Sequence, residues 1–184
     1  DLAVVAAVCA AVGDGIKILV DANQNNAAPG YPFWSRPTAL RVARRLDDLG
    51  VYYLEEPLPR PDVEGLATIA AAVDMLIAGG EHTPTVFDFR EHLARGAYDV
   101  IQPDVILGGN FGIGGLRMAA AWADCFGRQI IPHVTGGGNS PLALPATLHA
   151  MATLENCPLV EYPHDPPVLV PATLQAPIRI PLVI

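Results

Sequence analysis

Lysine is almost missing from this 184-residue chain. Lys17 is the only one, and Lys and Arg together number 11 against 19 Asp and Glu, for a formal charge of −8. Nucleic-acid phosphates are bound by clustered basic side chains, so the deficit excludes that class of partner. Cysteine is scarce too. Cys9, Cys125 and Cys157 are odd in number, lack CxxC spacing and sit in apolar surroundings, which reads as buried free thiols in a reducing, cytoplasmic compartment. No apolar run is long enough to span a bilayer. Leu2 to Val12 resembles the core of a signal peptide, but it has no initiator Met or basic flank and a strand follows it directly, so it is read as a helix closed by Gly13.

What remains is a chain 51% hydrophobic and only 16% charged, apolar enough for one globular domain with a large core. Its organising stretch is Val51 to Pro57, VYYLEEP, a short β-rich run ending in two carboxylates and a proline. The same pattern recurs five times: ILVD ends at Asp21, MLIAGGE at Glu81, VIQPD at Asp104, QIIPH at His133 and PLVE at Glu161. Each run is followed by turn residues and a helical pattern, and successive end points lie 23 to 34 residues apart, about one strand plus one helix. That rhythm predicts an α/β fold of the (β/α)8 TIM-barrel type, with functional side chains at the carboxyl ends of the strands.

Six β/α units fall short of eight, so the first two units are expected to precede this sequence. Bare sheet edges make a homo-oligomer the expected state. Residues 1–162 read as the partial barrel and 163–184 as a proline-rich tail. Helices are expected at Leu2 to Val12, from Ser35 and Pro37 to Gly50, after Asp62, from about Thr85 to Arg95, from Leu116 to Phe126 and from Pro141 to Leu154. Ala22 to Arg36, with Asn23 and three aromatics, reads as either a substrate-shaping lid or a plain insertion. The glycine-rich GGNFGIGG at Gly108 to Gly115 matches neither dinucleotide nor P-loop spacing and reads as a structural turn or a carboxylate-binding loop.

Asp21, Glu55 and Glu81 close three successive strands and can converge on one point. Any one of them alone is more often a solvated strand-end acid, but three in succession at matching positions point to a shared cation. Three oxygen donors without Cys or His suit Mg²⁺. Glu56 reads as a residue aligning a ligand or pairing with an arginine, and Asn23 and His82 as its companions near the site. Opposite the metal, His133 reads as general base with Asp104 orienting it, and Glu161 as an acid kept protonated to donate a hydrogen bond. His92, His149 and His164 read as surface residues.

The ordered series VDAN, LEEP, GGE, QPD, PH and VE, from about Lys17 to Glu161, resembles the C-terminal barrel of the enolase superfamily, in its mandelate racemase-like subgroup. The resemblance implies Mg²⁺ held by Asp21, Glu55 and Glu81, an Asp104–His133 dyad, and Glu161 as electrophilic partner. The branch containing muconate cycloisomerase and dipeptide epimerase is less similar, because it carries a catalytic lysine where this chain has QPDV. The family's N-terminal capping domain and second-strand basic motif do not occur in this sequence. The expected substrate is a small carboxylate, either an acid sugar or a 2-hydroxy acid. Dehydration needs one base and ranks first, racemisation or epimerisation needs two and ranks second, and a non-catalytic barrel fragment requiring a partner is the alternative of another class.

Overall fold

A computed structural model describes residues 1–25, 32–109, 112–134 and 142–162. Five parallel strands form one sheet in chain order: β1 (Leu19–Asp21), β2 (Tyr53–Glu55), β3 (Leu76–Gly79), β4 (Val100–Ile101) and β5 (Gln129–Ile130). The connecting helices are α1 (Leu2–Val12), α2 (Arg36–Asp48), α3 (Val63–Ala70), α4 (Val86–Ala94), α5 (Gly112–Cys125) and α6 (Ala143–Met151). Sequential parallel strands joined by helices are the repeating unit of a β/α barrel.

Local chemistry sets the helix starts. Ser35 accepts a hydrogen bond from the Thr38 amide at the head of α2, and Asp62 does the same for Gly65 at the head of α3. At α4 the Asp88 carboxylate accepts from both the Thr85 amide and the Thr85 hydroxyl, at 2.9 and 2.8 Å. α5 starts earlier than the sequence pattern predicts, because the second half of the glycine-rich run is already helical.

Strand alternation then divides the core in two. Leu54, Ile77, Ile101 and Ile130 face the helices in the larger cluster, while Tyr53, Ala78, Val100 and Ile131 pack together on the other face of the sheet. Glu55, two residues after Tyr53, shares that inner face. Its register partner on β1 is Asp21.

The expected sixth strand, ending at Glu161, is not formed. Ile130 N–H reaches Asn156 O at 3.1 Å, but the chain then runs through Pro158, which has no N–H to continue a ladder, and residues 157–162 are irregular. Leu159 still packs against the inner cluster.

Two further expectations are corrected. Cys125 is exposed at the end of α5, while Cys9 and Cys157 are half-buried and all three thiols are free. His92 is buried rather than on the surface: it stacks on Tyr98 with ring centres 5.0 Å apart and planes 4° from parallel. His149 is exposed, and His164 and the tail from residue 163 lie outside the described residues, as do residues 135–141. Among the described residues no helix is long and apolar enough to cross a membrane.

Candidate active site

The carboxyl ends of the five strands lead to Asp21, Glu55, Glu81, Asp104 and His133, staggered along the sheet, while Glu161 lies in the irregular segment 157–162. Asp21 and Glu55 are paired in register, and the next residue in that row is Ala78, so Glu81 stands three residues further along, beyond Gly79 and Gly80. Those glycines let the chain pass tightly over α4 and its surroundings. A Cβ on Gly79 would lie 2.9 Å from the Tyr98 ring, and one on Gly80, where φ is +117°, would lie 2.4 Å from Phe89. Asp104 and His133 each lie three residues past the registered pair Ile101 and Ile130, which brings them level.

His133 is the centre of the arrangement. Its Nδ1 is 2.6 Å from Asp104 Oδ2 and its Nε2 is 3.0 Å from Glu81 Oε2. Asp104 is completely buried, and its other oxygen accepts from the amides of Ile106 and Leu107 at 2.6 and 3.0 Å, which fixes it against rotation. Burial alone would lower the imidazole, but the hydrogen bonds to Asp104 and Glu81 and the nearby charge of Glu161 push it up to about 10. Burial would likewise raise the Glu81 carboxyl. Its hydrogen bond to His133, with the charges of His133 and His82, instead holds it below the usual range. His82 Nε2 lies 2.9 Å from Glu81 Oε1, so each carboxylate oxygen of Glu81 faces one imidazole. His133 therefore contacts one of the three acids directly, where the sequence pattern placed it opposite them.

The remaining acids carry the signature of charge crowded together. Glu55 is pushed up to about 8, first by burial and then by the charges of Asp21, Glu161 and Glu81. The neighbouring amide of Gln102 opposes that rise without reaching good hydrogen-bond geometry, since neither of its polar atoms is bonded. Asp21 is raised by loss of water around its carboxylate and by Glu81, against hydrogen bonds from Asn23, whose amide N–H lies 2.7 Å from Asp21 Oδ1. Glu161 is raised to about 7 by burial, offset by the positive charge of His133, and its Oε2 is buried with no hydrogen-bond partner among the described residues.

Glu56 is 2% exposed and sits at φ 45°, in the left-handed region that a non-glycine residue enters at a cost of order 1 kcal/mol. Its Oε1 also lacks a donor among the described residues, and burial with the charges of Glu81 and Asp21 raises it to about 7, against the charge of Arg60.

Whether these residues suit Mg²⁺ follows from the donor set. Glu81 raises Asp21, and Asp21 and Glu81 together raise Glu55, a crowding of negative charge that a divalent cation relieves. As the side chains stand, no three His, Cys, Asp or Glu among the described residues are gathered tightly enough to hold an ion, and Glu81 faces the two imidazoles. The donors fit in type, and Asp21 and Glu55 are paired in register at the rim with Glu81 on the next strand's loop.

Two participants escaped sequence reasoning. Gln102 is visible only as the first letter of QPD, and its burial beside Glu55 comes from packing. Arg60 follows LEEP by a few residues, and nothing in that spacing announces its contacts.

The enolase C-terminal domain-like family is matched over residues 1–181. The chain is 35% identical over 150 residues to an arabinonate dehydratase from Saccharolobus solfataricus, covering 82% of this chain and 36% of that one. It is 37% identical over 136 residues to an L-talarate/galactarate dehydratase from Salmonella typhimurium, covering 72% and 31%. A racemase from Streptomyces coelicolor, whose crystal structure holds magnesium, superposes with a TM-score of 0.73 at 27% identity over 88% of this chain and 42% of that one. The chain thus spans about a third of the length of these curated relatives. With its parallel β/α sheet and this family match, the chain belongs to the enolase C-terminal domain-like family, on the mandelate racemase/muconate lactonizing enzyme side of the enolase superfamily.

Proposed function

We propose that the protein removes water from an acid sugar by taking the proton α to its carboxylate, with His133 as the proton carrier. The observation that carries this reading is the imidazole held at Nδ1 by the buried Asp104 at 2.6 Å while its Nε2 edge faces the acidic rim. Asp104 fixes the ring orientation and strengthens it as a proton acceptor. With Glu81 turned to the cation, His133 loses one of the two carboxylates that hold its proton, and its free Nε2 takes the α-proton; the electron pair forms the C=C bond of an enol, and the β-hydroxyl leaves as water with the proton that His133 returns. The enol then becomes a 2-keto-3-deoxy acid. Asp21, Glu55 and Glu81 would hold Mg²⁺, which when bound supplies positive charge opposite the negative charge developing on the substrate carboxylate. Glu161, raised to about 7 and with Oε2 unbonded among the described residues, is suited to donate a hydrogen bond to that carboxylate from the other side.

Dehydration ranks above racemisation because one base suffices. Lys17 offers no second one, since its Nζ lies 3.9 Å from the ring centre of Tyr52 at the amino end of the sheet. The substrate class follows the two dehydratases named above, and a cytoplasmic homo-oligomer completes the reading. The test is turnover of the full-length protein on a panel of aldonic and aldaric acids with Mg²⁺, followed as keto-acid formation. His133→Asn lowers kcat about 10²- to 10⁴-fold, and unchanged turnover refutes its role. Thermal melting with Mg²⁺ and with EDTA separates this reading from a non-catalytic fragment, which melts alike in both.

A further inference from the structure

One residue outside the proposed chemistry joins three of the rim loops, through its backbone and its guanidinium. Arg60 lies in the loop after β2. Its backbone N–H donates to Asn25 Oδ1 at 3.2 Å, in the loop after β1. Its guanidinium Nη1 donates to the carbonyl of His82, the residue after Glu81 in the loop following β3. Its own carbonyl faces His92 Nε2 at 3.1 Å, and His92 Nδ1 lies 2.9 Å from Asp88 O one turn earlier in α4. His92 is in turn clamped against Tyr98, and both are buried. The anchor is therefore rigid, and the three segments tied to it are those that follow Asp21, Glu55 and Glu81.

Such a tie answers a physical need. Loops at strand ends belong to the least stable part of a fold, and three carboxylates brought together push each other apart. Mutual repulsion would spread the loops unless something held them in register. A charged N–H donated to a carbonyl is among the stronger hydrogen bonds available for that purpose.

We infer that Arg60 is a positioning residue, which locks the loops after β1, β2 and β3 to the His92 anchor so that Asp21, Glu55 and Glu81 are presented to a common point. This rests on reading those three acids as cation ligands, and the test keeps the two claims apart. In the full-length protein, Arg60→Met, Arg60→Lys and a control, Arg45→Met on the exposed face of α2, are compared by amide hydrogen exchange of residues 22–25 and 81–84 and by calorimetric titration with Mg²⁺. Arg60→Met, which removes the tie to His82 but keeps the backbone N–H to Asn25, is expected to speed exchange of residues 81–84 more than of residues 22–25 and to weaken Mg²⁺ affinity about tenfold or more, with Arg60→Lys intermediate and Arg45→Met unchanged. Exchange of residues 81–84 that stays at the wild-type rate in Arg60→Met overturns the inference. So does full recovery of affinity in Arg60→Lys with the loops unaltered, because charge alone would then explain Arg60. If the wild type takes up no Mg²⁺, the functional reading falls, and the exchange comparison still decides whether Arg60 ties the loops.

Discussion

β1 and β2 are register partners residue for residue, yet their surroundings differ. β2 is buried throughout, whereas in β1 the two outer residues, Leu19 and Asp21, are exposed. The helices beside them show the same contrast in reverse of their composition. α1 is apolar almost all round and buries no residue fully, while α2 is polar on average and buries Ala39, Ala43 and Leu46. Burial here is decided by how many sides of an element have neighbours, and apolarity only determines what a neighbour would gain. The acids inherit the difference: Glu55 rises to about 8 within the packed part, and Asp21 keeps water on one side.

The sharpest way to break this comparison is to truncate the same residue type in both strands. Leu54 is 0% exposed and Leu19 is 39% exposed. Leu54→Ala should lower unfolding stability by about 2–5 kcal/mol, cavity term included, and Leu19→Ala by less than about 1 kcal/mol, both measured from urea midpoints. Equal losses would mean that something covers β1 in solution.

A smaller effect tests the helix starts. Asp62→Ala removes the side-chain cap of α3 and should cost about 1 kcal/mol, whereas Asp1, which makes no side-chain cap at α1, should change stability by no more than about 0.5 kcal/mol when replaced by Ala. The cap also has a pH signature. The hydrogen bond from Arg36 holds the Asp62 carboxyl below its usual 3.8, opposed by burial and helped by the Gly65 amide. A depressed folded pKa adds stability that is complete above 3.8 and fades as pH falls through the lower folded value. Wild-type and Asp62→Ala midpoints should therefore converge in that acid range, and a gap that persists there would refute the cap.

The elements most legible in the sequence were those whose cause is local. Ser35, Asp62 and Thr85 announce helix starts because a cap reaches only two or three residues, and strand ends show because an acid cannot continue an apolar run. Asp104 and His133 meet because equal offsets on adjacent strands bring their side chains level. What escaped depends on distant partners. The burial of His92 requires Tyr98 and the Arg60 carbonyl, neither implied by its helix. The turn of Glu81 toward His133 and His82 is a competition among neighbours that no strand pattern records. The missing sixth strand was readable in retrospect from Pro158.

Gly108 carries one more consequence. It is exposed and stands at φ +60°, yet a Cβ there would sit 2.5 Å from the Thr83 carbonyl oxygen and 3.3 Å from that of Glu81. Solvent exposure ordinarily forecasts tolerance, but this site admits no larger residue without displacing the backbone that carries an acid of the rim. In a saturation library it should behave like a core position, with even alanine depleted.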